Sequence, residues 1–208
     1  MQTLGEEIAN SVSHGAGFVA AAIAVPFLMV ATAERGAAIN VVGAAVFGAT
    51  MLLLYLTSAL YHALPSGRAK RVFCRLDHGA IYLFIAGSYT PFALGTLHGP
   101  WGWTLFGIVW GIAVVGVTLK TFDRLAHPML STALYLVMGW LALVAIVPLT
   151  ERMQVTGLAL LFAGGVAYTA GVVFFAADSR WRYAHFVWHL FVVTGSLFHF
   201  LAVLDFAV

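Results

Sequence analysis

Seven runs of about 20 apolar residues, each long enough to cross a hydrocarbon core about 30 Å thick, constrain this chain more than any other feature. They fall near residues 12–33, 39–62, 74–97, 101–119, 128–149, 155–177 and 184–206. The breaks between them carry turn chemistry: Glu34-Arg35-Gly36, Pro65 to Arg71, His98-Gly99-Pro100, Lys120 to His127, Thr150 to Gln154 and Asp178 to Arg182. None is long enough for an extramembrane domain. Residues 1–208 therefore read as a single all-α domain, a polytopic seven-helix transmembrane bundle, with any function carried out inside it or at its faces.

Composition agrees. With 62% hydrophobic and 9% charged residues, a soluble fold would have too little charge to solvate its surface. A net charge of +2 does not suggest nucleic acid, and the basic residues sit in short inter-run segments rather than on one stripe. The single cysteine, Cys74, excludes an intramolecular disulfide. The chain opens with acidic Glu6 and Glu7, has no basic n-region, and runs into an apolar stretch too long for a signal h-region, so no cleaved leader is expected.

Orientation follows from Lys and Arg. Arg68, Lys70, Arg71, Arg75, Lys120, Arg124, Arg180 and Arg182 fall on one side, and only Arg35 and Arg152 on the other. That bias places the N-terminus in the cytoplasm and, with an odd number of spans, the C-terminus outside. Thr3-Leu4-Gly5-Glu6 reads as a capping box, so the first helix is expected to begin before the membrane. Glu6, Asn10, Ser13, His14 and Gly17 then share a side that should face the bundle.

Ionisable groups within spans are costly, which makes each a candidate site. His62 follows Ser58 by four residues at the end of span two, Asp77 opens span three, and His185 and His189 open span seven four residues apart. All lie toward the cytoplasmic ends of their helices although they are scattered along the chain. Histidines at i and i+4 can bind one metal ion, and a third completes a three-histidine set that leaves a tetrahedral position for water, as in catalytic zinc sites. There Asp77 would hydrogen-bond that water or act as its general base, and Ser58 would orient a ligand or donate to a developing oxyanion. Hydrolysis of an amide or ester is the natural reaction.

Other residues read more plainly. His78 points about 100° away from Asp77 and suits a supporting or interface role. Asp123 and His127 fall in a cytoplasmic loop. His199 is about 21 Å along the helix from His185, too far for the same ion, and suits a structural hydrogen bond. His14, at the right depth, suits a structural or substrate-contacting role better than ligation. Trp101, Trp103, Trp181 and Tyr183 flank span ends as interfacial aromatics. Gly15, Gly17, Gly164 and Gly165 suggest close helix packing.

At these residues the chain resembles the hemolysin III family, the bacterial branch of the progestin and adipoQ receptor superfamily. The resemblance rests on S-H-G-A-G at 13–17, S-A-L-Y-H at 58–62, R-L-D-H-G-A-I-Y at 75–82, G-S-Y-T-P-F at 87–92 and H-F-V-W-H at 185–189. It implies a zinc ion (Zn2+) held by His62, His185 and His189, with Asp77 near its water and Ser58 close by. The wider grouping includes adiponectin receptors and alkaline ceramidases, which implies hydrolysis of a lipid amide in membrane-lipid homeostasis. Haemolytic, pore-forming activity is attributed to some bacterial members. For a bacterial protein the expected location is the cytoplasmic (inner) membrane, with a membrane lipid as substrate or ligand. Three readings follow: a zinc-dependent intramembrane hydrolase, a receptor or homeostasis regulator with a structural zinc, and a channel or pore lined by the polar interior.

Overall fold

A computed structural model describes residues 2–122, 124 and 128–207. The protein is 90% helical, and no strand occurs among the described residues. Asp123 and His127 lie outside the described residues. The helices are α1 (Leu4–Arg35), α2 (Ala38–Ala63), α3 (Arg68–Pro91), α4 (Gly99–Thr121), α5 (Pro128–Gly139), α6 (Ile146–Arg152), α7 (Val155–Ala176) and α8 (Ala184–Phe206). A π-type segment, Phe92–Leu97, extends α3, and a 3-10 segment, Trp140–Ala145, joins α5 to α6. Counting α5 to α6 as one, seven stretches among the described residues are long and apolar enough to cross a membrane.

Each helix begins and ends for local reasons. Thr3 accepts from the Glu6 amide while the Glu6 carboxylate takes the Thr3 amide at 2.8 Å, closing the capping box that starts α1. The 32 residues of α1 span about 48 Å, well beyond a 30 Å hydrocarbon core. Its exposed face carries Val19, Ile23, Phe27 and Val30 at helical spacing, an apolar stripe suited to lipid. The opposite face buries Glu6, Asn10, His14 and Gly17. Helix α3 starts at Arg68, six residues before the apolar run, because charged residues extend a helix outside the hydrocarbon as well as apolar ones do.

The stretch expected as one span near 128–149 is one span, Met129–Arg152, whose helix passes through a 3-10 segment between α5 and α6. Pro148 lacks an amide hydrogen and crowds the carbonyl four residues earlier, so the regular ladder fails over Trp140–Ala145. Tyr89 of α3 compensates. Its hydroxyl accepts from the Ala142 amide at 2.9 Å and donates to the Gly139 carbonyl at 2.6 Å, satisfying backbone groups that the irregular segment would leave unpaired within an apolar span.

The helices pack in chain order, α1 on α2, α2 on α3, α3 on α4 and α7 on α8, and α1 returns to α8 to close the bundle. Small residues permit the close approaches. A Cβ on Gly87 would overlap Thr50, and one on Gly171 would sit 2.7 Å from Trp188 and Phe191. Of the glycines expected to pack closely, Gly17 meets Tyr55, Gly164 meets His199 and Gly165 meets Trp140, whereas Gly15 faces nothing within 4 Å. One large core cluster joins α1, α2, α3 and α8 around Phe47, Leu54, Phe84 and Val203. That core holds the ends of α2, α3 and α8 against one another beside the polar residues.

Candidate metal centre

Two helices deliver the three histidines of one polar cluster at the end of the bundle that carries the chain's start. His62 lies in the last turn of α2, and His185 and His189 lie in the first two turns of α8. One ring nitrogen from each lies within 4.8 Å of the others, close enough to share a single metal ion. Their ring centroids are 5.1 Å (His62–His185), 5.1 Å (His62–His189) and 4.8 Å (His185–His189) apart.

The contacts of the outer ring nitrogens show what the inner ones are free to do. His62 Nδ1 meets the Glu7 carboxylate at 2.8 Å. His189 Nδ1 lies 3.0 Å from Ser13 Oγ and 3.2 Å from the Asn10 carbonyl oxygen. His185 Nδ1 is 3.5 Å from the Asp178 carboxylate, an electrostatic approach without a hydrogen bond. In metal sites the non-ligating ring nitrogen donates to such carboxylates and carbonyls, fixing the tautomer and the ring plane. His62 Nε2 is buried and has no hydrogen-bond partner. An unpartnered buried imidazole nitrogen is costly in an apolar interior unless something binds it. The three imidazoles therefore fit a shared metal ion such as zinc.

The other expected site residues sit beside this cluster. Asp77 and Ser58 are both buried, at 8% and 1% exposure, and both line a cavity of about 410 Å³ together with His14, His185 and His189. Ser58 Oγ has no hydrogen-bond partner. His62 is not part of the cavity wall. From this polar end the cavity continues between α3, α5, α7 and α8 past Phe84, Trp140 and Phe162 toward Leu149 near the opposite end. Such a mostly apolar pocket with a few convergent polar groups suits a long, largely apolar ligand.

Three further histidines are now placed. His14 stacks face to face on His189, with centroids 3.6 Å apart and planes 6° from parallel, and neither of its nitrogens has a partner. His78 meets Cys74 Sγ at 3.7 Å through Nδ1, lines the cavity, and accepts at its carbonyl from the Tyr135 hydroxyl at 2.9 Å. His199 Nε2 reaches the Leu161 carbonyl at 3.3 Å, far along α8 from the cluster. Sequence reasoning did not single out Glu7 or the Asn10 carbonyl. The spacing Glu7, Asn10, His14 is i, i+3, i+7 on one helical face and is the signal that would have included Glu7.

The fold and cluster define a class: a multi-pass, all-α membrane protein with a three-histidine set able to hold a metal. Residues 2–200 match the family model described as Haemolysin-III related, and the chain belongs to that family. It is 44% identical over 203 residues to Hemolysin-3 of Bacillus cereus, covering 98% of this chain and 92% of that protein. It is 42% identical over 211 residues to the Hemolysin-3 homolog of Bacillus subtilis (strain 168), covering 100% of this chain and 97% of that one. A more distant similarity, 28% over 163 residues, links it to the human Monocyte to macrophage differentiation factor, covering 76% of this chain and 67% of the human protein.

Proposed function

We propose that this protein is a zinc-dependent hydrolase of a membrane lipid amide or ester, a single seven-span domain in the bacterial inner membrane with its N-terminus in the cytoplasm and its C-terminus outside. The observation that carries this reading is the convergence of three imidazoles within 4.8 Å of one another, two of which, His185 and His189, line the polar end of a cavity together with Asp77 and Ser58. His62, His185 and His189 would hold the ion. When bound, zinc supplies a Lewis acid that polarises a carbonyl and makes water nucleophilic near neutral pH.

The remaining roles belong to the chain itself. Asp77, buried in the cavity wall, accepts the proton of the attacking water as general base. Ser58, whose hydroxyl has no partner of its own, donates to the oxyanion that develops on the substrate carbonyl. The apolar walls beyond, including Phe84 and Trp140, take the hydrocarbon chain and exclude bulk water. An apolar tail anchored there sets the scissile carbonyl against the polar end, so binding and orientation are one event.

The test has two parts. Purified protein should carry about one zinc per chain, and the combined His185→Ala and His189→Ala variant should carry none; a metal-free wild type sinks the proposal. Lipid mass spectrometry of cells expressing wild type or Asp77→Ala should then show a lipid amide or ester accumulating in the variant, which keeps its metal. A second reading, a receptor or regulator in which zinc only ties α2 to α8, is favoured by the position of His62 outside the cavity wall. It predicts that Asp77→Ala keeps both metal and biological activity.

A further inference from the structure

The three-histidine cluster is backed by residues of α1 that no ligand set includes. We infer that Glu7 is a positioning residue for this centre: it holds His62 by its Nδ1 and so presents Nε2 to the ion. The inference rests on the zinc reading above.

Glu7 bridges two partners. One carboxylate oxygen meets His62 Nδ1 at 2.8 Å and the other meets the Lys70 ammonium at 2.9 Å. Lys70 is fixed in turn, donating to the Tyr61 carbonyl at 3.1 Å and the Leu64 carbonyl at 3.2 Å, the free acceptors at the end of α2. The carboxylate therefore cannot swing away without costing Lys70 its counter-charge and leaving the His62 Nδ1 unpaired. The His62 side chain is 2% exposed, and those of Lys70 and Glu7 are 18% and 22% exposed. A carboxylate acceptor selects the tautomer with its proton on Nδ1, which leaves the lone pair on Nε2, the atom that is buried and unpartnered.

The backbone around Glu7 is itself anchored. Ser11 Oγ donates to the Ala59 carbonyl at 3.0 Å, tying α1 to α2 one turn away. On the other side Glu6 accepts the Tyr183 amide at 2.9 Å, immediately before the helix that carries His185 and His189. Residues 6 and 7 thus reach toward α8 and α2 from a single turn. Glu7 is placed to fix His62 on α2, and its effect on the ion is expected to run through that histidine.

The experiment uses full-length protein in detergent or nanodiscs. Zinc affinity is measured by chelator competition, the ligand field by the cobalt(II) spectrum, and folding by thermal unfolding of the metal-free form, for wild type and Glu7→Gln. Gln keeps the size and an acceptor but loses the charge. The expected result is zinc binding weakened by about 10–100-fold, the range for lost outer partners of metal ligands, with an altered cobalt spectrum and an unchanged metal-free unfolding temperature. If wild type binds zinc and E7Q binds it equally well, the positioning role is wrong while the zinc reading stands. A lowered metal-free unfolding temperature with an unaltered cobalt spectrum assigns Glu7 to the fold alone and also overturns it. Should E7Q not fold, Glu7→Asp decides, because it keeps the charge but retracts the carboxylate: weaker zinc binding supports the role and unchanged binding overturns it. A wild type without metal removes both this inference and the reading beneath it.

Discussion

His14 meets the three-histidine cluster through the face of its ring. The ring lies flat on His189 at 3.6 Å and edge-on to Tyr55 at 5.2 Å, so it holds the His189 ring plane by packing. A ring parallel to a ligand's ring and stacked on it does not aim its nitrogens at the ion that ligand holds. His14→Phe should therefore keep about one zinc per chain, because a phenyl ring preserves the stack. His14→Ala should bind zinc more weakly by opening space behind His189. Metal analysis of the two variants checks this: loss of zinc in both to the extent seen for His189→Ala would make His14 a ligand. Ser13 offers a contrast, since Asn10 supplies a second acceptor for the same His189 nitrogen, and Ser13→Ala should change zinc affinity little.

At the scale of the element, the break between α5 and α6 depends on one hydroxyl. Tyr89→Phe leaves the Ala142 amide and the Gly139 carbonyl without that partner in a part-buried stretch of an apolar span, at a cost of about 1–3 kcal/mol. Thermal unfolding in detergent should show the loss, and an unchanged midpoint would mean that water or neighbouring backbone satisfies those groups. Gly171→Leu should be as damaging, because Trp188 and Phe191 occupy the space its side chain needs. These elements also show what was legible in the sequence. The capping box at Thr3 and Glu6 is local and reads directly. The placing of His62, Asp77, His185 and His189 near one level of the bundle reads from their positions within apolar runs. The 3-10 break does not, since a hydropathy count sees the same apolar residues whether the ladder is whole or interrupted. Nor does the bond between Glu7 and His62, which joins residues 55 apart and exists only once α1 lies on α2. Gly15 shows the converse, a small residue in a packing pattern that faces open space.

For the whole molecule, the contact of α1 with α8 brings the first and last helices together beside the cluster, so the candidate centre and bundle closure share the same helices. Which way this bundle sits decides where substrate polar groups and water enter. The surplus of Lys and Arg in and beside the α2–α3, α4–α5 and α7–α8 junctions, the first turns of α3 included, predicts that the end bearing the cluster faces the cytoplasm. Long apolar helices alone carry no such information, because the exposed stripe of α1 suits lipid in either sense. The orientation is tested with Cys74→Ser as background and a single cysteine placed at exposed Ser66 or at exposed Glu151. A membrane-impermeant thiol reagent applied to intact spheroplasts should label Glu151→Cys and spare Ser66→Cys, and inverted vesicles should reverse the pattern. Labelling of Ser66→Cys in intact spheroplasts would place the cluster on the outer side, and the water of the reaction would then come from outside the cell.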